Sequence, residues 1–107
     1  MRPWPPVRIT VLKTMYNQDL AEEYRRPDIH TGPCPYFGEG QEFVSEQLRK
    51  PEDFGCDWAW NDIYNAYLTL AKDGSNYTPW MKNSNSVIRC CNDGIRPVVF
   101  MIERIED

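Results

Sequence analysis

The chain has a single histidine, no C-x₂-C pair among its four cysteines, and no apolar run approaching the ~18 residues that cross a bilayer. The last of these absences excludes a membrane-spanning helix on the sequence. Internal repeats, low-complexity tracts and long blocks of like charge are also missing. With no linker to divide them, 107 residues suit one domain, 1–107. Catalytic and nucleotide signatures are lacking too: there is no G-x-S-x-G, no P-loop and no G-x-G-x-x-G, and Gly38-Glu39-Gly40 is too short to cradle phosphate. Enzyme status is therefore left open. Positive charge is in the minority, with twelve Lys and Arg against sixteen Asp and Glu and a net charge of -4. That sign opposes the footprint of a nucleic-acid or anionic-membrane binder, so neither is expected as a partner. Met1 to Val11 holds three prolines and no apolar signal-peptide core, which predicts a cytoplasmic protein with reduced thiols. In that compartment the Asn76-Tyr77-Thr78 sequon carries no glycan.

What is present organises the chain. Val7, Ile9 and Val11 alternate with Arg8, Thr10 and Leu12 at the strand period. Asn17 is placed to cap a short helix with Leu20 and Tyr24 on one face, stopped by Pro27. Residues 27–40 read as a Pro/Gly loop around Cys34, and Gln41 to Ser45 as a short strand with Phe43 inward. The longest helix is expected over 57–73, with Asp57 as N-cap, Gly74 as stop, and Ala59, Ile63, Ala66, Tyr67 and Leu70 as its buried stripe. Trp60 and Tyr64 widen that stripe, which calls for a second cover such as the 75–84 loop with Trp80 and Met81. Val87 to Cys91 and Val98 to Ile105 flank Asp93-Gly94, the pattern of a hairpin closed by a tight type I′ turn, with Pro97 at a strand start. The expected fold class is α+β: about four mostly antiparallel strands with one long aromatic-rich helix packed on the sheet and one short helix.

Gly32-Pro33-Cys34-Pro35, Gly40-Gln41-Glu42-Phe43, Cys56-Asp57-Trp58-Ala59-Trp60 and Cys91-Asn92-Asp93-Gly94 with Arg96-Pro97-Val98-Val99-Phe100 follow one another along the chain. In this ordered set the chain resembles the TIGR04076 family of small prokaryotic proteins, over nearly its whole length. The resemblance implies three cysteine positions, matched here by Cys34, Cys56 and Cys91, with Cys90 an addition. It implies no activity, substrate or cofactor. Relatives often carry proline after the last of these cysteines, where Asn92 stands.

Cysteine is the residue type that suggests a site. Cys34 in a loop, Cys56 at the mouth of the long helix and Cys91 at a turn all lie at element ends, where a fold can bring them together. Three thiolates with a fourth ligand suit a thiophilic ion, so Cys34, Cys56 and Cys91 are candidate ligands for zinc or iron, with His30 a weak fourth. The spacing matches neither a zinc knuckle nor an iron–sulfur module. Cys90 and Cys91, being adjacent on a strand, point to opposite faces, and Cys90 shares its face with Ile88 and is expected in the core. A second reading is thiol redox chemistry: Cys56 beside the exposed N–H groups of a helix start is favoured as thiolate, Asp57 opposes this, and Cys34 or Cys91 would resolve. A third is inert packing, since free cysteine is among the most buried residue types. A small cytosolic binding module that holds a metal or small ligand through converging cysteines is the function expected. The alternatives are a thiol-based redox protein and a structural or oligomerising domain.

Trp58, Trp60, Tyr64, Tyr67, Tyr77 and Trp80 make the middle of the chain aromatic. Opposite faces of one helix cannot both reach one sheet, which leaves Trp58 for a partner and makes a homodimer an expectation.

Overall fold

The alternation at Val7, Ile9 and Val11 becomes β1 (Val7–Thr14), whose inward residues are fully buried. A computed structural model describes residues 4–72 and 79–105 of the chain. Along it β1 is followed by α1 (Gln18–Tyr24), β2 (Glu42–Ser45), α2 (Asp57–Ala71), β3 (Ser86–Cys90) and β4 (Val98–Arg104). The four strands form one antiparallel sheet in the order β2-β1-β4-β3, an α+β fold. The first and last strands are the two central ones, paired through Val7↔Arg104, Ile9↔Ile102 and Val11↔Phe100. A register shift between Val11 and Lys13 bulges β1 at Leu12.

Cross-strand partners share a face, so Phe43 on β2, Ile9, Ile102 and Val87 make one apolar row across the sheet. On that face lies α2, which buries Ala59, Ile63, Ala66, Tyr67, Leu70 and Ala71, the stripe its periodicity predicts. Phe37 and Phe54, both from loops, complete the core with Phe43 and Phe100, and Trp60 packs edge-on against Phe54. Burial, with Tyr64 nearby adding to it, pushes the Tyr67 hydroxyl above the ordinary tyrosine value, against the hydrogen bonds from Ser45 and the Leu48 backbone. At the far end of α2, Arg104 donates to the Leu70 carbonyl at 2.8 Å and to Asn85, placing a cation at the helix C-terminus.

Several expectations are corrected by the placement of single residues. The N-cap of α2 is Cys56, not Asp57: the sulfur accepts the Ala59 N–H at 3.5 Å, and Asp57 turns outward to Lys50. Gly74 lies outside the described residues. Asn17 does precede α1, but its side chain caps nothing there and donates instead to the Gly94 carbonyl at 2.6 Å. In α1 the buried residue is Ala21; Leu20 and Tyr24 face outward, because α1 rests its small side on the protein.

The β3–β4 connection is not a tight type I′ turn. Neither Asp93 nor Gly94 has positive φ, and Cys91 through Pro97 form a wider link closed by the Asp93 carboxylate. Cys90 is exposed rather than core, because Ile88 and Cys90 point away from α2 on the uncovered face. The expected cover from the 75–84 loop is not found in its described part: Trp80 and Met81 lie with Val87, Ile88 and Arg89 beside β3, and Trp80 stays 78% exposed. Residues 73–78 of that loop lie outside the described residues.

Candidate functional site: a cavity lined by three thiols

Three separate stretches meet at the N-terminal end of α2. The loop between α1 and β2 supplies Cys34, Tyr36 and Phe37, the N-cap and first turns of α2 supply Cys56, Trp58, Ala59 and Asp62, and the β3–β4 connection with the first residue of β4 supplies Cys91 to Asp93, Arg96 and Val98. Between them is a cavity of about 350 Å³. Cys34, Cys56 and Cys91 all line it, each half-buried, whereas the exposed Cys90 does not. Local rules explain the placements. Cys56 sits at the cavity because it is the residue whose extended backbone starts the helix. One residue past the end of β3, Cys91 returns to the covered face; its N–H donates to the Val98 carbonyl at 3.1 Å.

Each polar wall is tied to another element. Asp62 on α2 accepts the Asn92 N–H at 2.8 Å, which fastens the helix to the connection. Asp93 Oδ1 accepts the N–H groups of Ile95 and Arg96 at 2.9 and 3.0 Å. Burial pushes the Asp93 carboxyl up, but those two N–H groups and the Arg96 guanidinium outweigh it and hold its pKa below the ordinary carboxylate value. The Cys91 sulfur accepts the Val98 N–H at 3.3 Å and lies 4.0 Å from the Arg96 carbonyl. Arg96 Nε is buried with no hydrogen-bond acceptor; Asp93 Oδ2 at 3.5 Å is at ion-pair distance only. Apolar walls come from Phe37, Ala59 and Val98, and the exposed rings of Tyr36 and Trp58 stand at the rim.

His30 is not part of this site. It lines a different hollow with Tyr16, Glu22 and Arg25, and its Nε2 lies 3.4 Å from the Pro33 carbonyl. Among the described residues no three His, Cys, Asp or Glu side chains are grouped to hold a metal ion. Arg96 and Tyr36 were not singled out by sequence reasoning. The signal for Arg96 is its position three residues after Asp93 across a turn, which puts a cation beside that carboxylate; Tyr36, in an irregular loop, has no such signal. Compared with known families, curated proteins and solved structures, the chain matches none.

Proposed function

We propose that the chain binds a small organic ligand in this cavity, with Cys34, Cys56 and Cys91 as its reactive or contacting groups. The observation that carries the reading is that three of four cysteines, drawn from three separate elements, line one cavity while the fourth stands outside it. Packing alone asks for no such division. The family pattern that the chain resembles has the same division, with Cys90 as the addition. A cavity of this volume with apolar walls and a few convergent polar groups suits a small molecule. Thiol redox chemistry is the second reading, supported by the same shared lining.

Labelling of the native chain with monobromobimane tests the proposal. One adduct in the cavity should obstruct the other two thiols while Cys90 reacts independently, so mass spectrometry should read two adducts per chain before unfolding and four after. Four adducts formed at similar rates in the native state, or none at Cys34, Cys56 and Cys91, would remove the basis for the reading.

A further inference from the structure

The cavity is lined by a cation, Arg96, whose buried Nε has no hydrogen-bond acceptor. Arg96 carries five N–H donors, and Asp93, its ion-pair partner among the described residues, lies 3.5 Å from Nε. The two carboxylates of the lining are engaged differently: Asp62 accepts the Asn92 N–H and Asp93 accepts two backbone N–H groups. An arginine side chain that is mostly buried, with Nε lacking an acceptor, is a receptor for a carboxylate or similar oxyanion. On the same connection, five residues earlier, is the Cys91 sulfur, which lies against the Val98 N–H and the Arg96 carbonyl. Oxyanion recognition and a thiol are thus built into one short segment, with aromatic rings at the rim.

We infer that the ligand is an anionic low-molecular-weight thiol, taken up from its disulfide as a mixed disulfide on Cys91 with its carboxylate on Arg96. This rests on the cavity reading above and adds the charge of the ligand and the sulfur that bears it. Cys91 loses its proton to solvent, and its thiolate attacks one sulfur of the incoming disulfide. The S–S bond of the disulfide breaks as the protein–ligand S–S bond forms, and the other half departs as a thiolate. Cys91 is oxidised, the departing half is reduced, and no further oxidant is needed.

Three disulfides of similar size and different charge test the inference: dithiodipropionate, bis(hydroxyethyl) disulfide and cystamine. The protein is the full chain carrying Cys90→Ser, which leaves the cavity thiols alone, and adducts are read by intact mass and peptide mapping. A net charge of -4 by itself favours the cationic probe. Arg96 instead predicts that dithiodipropionate reacts at Cys91 about threefold or more faster than cystamine, and that Arg96→Gln removes or inverts the preference while Arg96→Lys keeps part of it. The comparison of probes on the unsubstituted Arg96 stands even if Arg96→Gln fails to fold. Reaction of the neutral probe in the cavity with no preference for the anionic one would overturn the inference and leave the cavity reading intact. An adduct confined to Cys34 or Cys56 would overturn the assignment to Cys91. No reaction at any of the three would overturn both.

Discussion

Asp93 closes the β3–β4 connection by accepting two successive backbone N–H groups, a short polar side chain doing what a two-residue turn would otherwise do. Its carboxyl is held below the ordinary value near 4, so its charge stabilises the fold above that value and the contribution is lost as pH falls through the lower, folded one. Asp93→Asn keeps the acceptor and removes the charge. The variant should lose about 0.5–1 kcal/mol at neutral pH, a figure kept small by the partial exposure of the side chain, and the difference should vanish in acid. Denaturant unfolding of both proteins at several pH values checks this; a difference that persists in acid would contradict the account. Gln47 and Leu48 are the two non-glycine residues with positive φ among those described, and the Arg49 N–H to Glu46 carbonyl bond closes a tight turn around them. Leu48 also packs against the core, which offsets that strained backbone.

At the scale of elements, α2 begins on a sulfur. The Cys56 to Ala59 contact is long, as sulfur acceptors are, and serine is a far better N-cap. Cys56→Ser should therefore keep or raise stability, by about 0.5 kcal/mol, while Cys56→Ala should lower it by a similar amount. Thermal unfolding of the two variants separates a capping role from a packing role, since loss of a packed sulfur would destabilise both. A chain that gives up a good cap at this position and keeps the thiol at the cavity is consistent with the proposed function. The edges of the sheet are β2 and β3, both short, which limits the unpaired backbone offered to another chain.

Across the whole molecule, one aromatic cluster joins loops, sheet and helix. Phe100, fully buried on central β4, packs against Phe37 and Phe54, and Phe54 passes the contact on to Trp60 and through it to Tyr64 and Tyr67. Phe100→Ala should cost about 3–5 kcal/mol, a large share of the ~5–15 kcal/mol that holds a domain folded, and should open the thiol cavity because Phe37 is one of its walls. Denaturant midpoints measure the first effect, and faster bimane labelling of Cys34 the second. What the sequence determined by itself was what local periodicity and backbone chemistry encode. The period-two alternation at Val7, Ile9 and Val11 became β1, and the helical stripe from Ala59 to Leu70 became the buried side of α2. The opposite pointing of Cys90 and Cys91 also followed from strand geometry. Tertiary structure decided what depends on which face is covered and which elements meet. Cys90, read as core because it shares a strand face with apolar Ile88, lies with it on the face that α2 does not cover. Asp57 is a good cap by residue type, yet the backbone is extended at Cys56 and already helical at Asp57, which puts Cys56 in that place. The meeting of Cys34, Cys56, Cys91 and Arg96 in one cavity has no local signature, because contacts between residues tens of positions apart are set by sheet order and the crossing of α2, and these follow from the burial of the whole apolar surface at once.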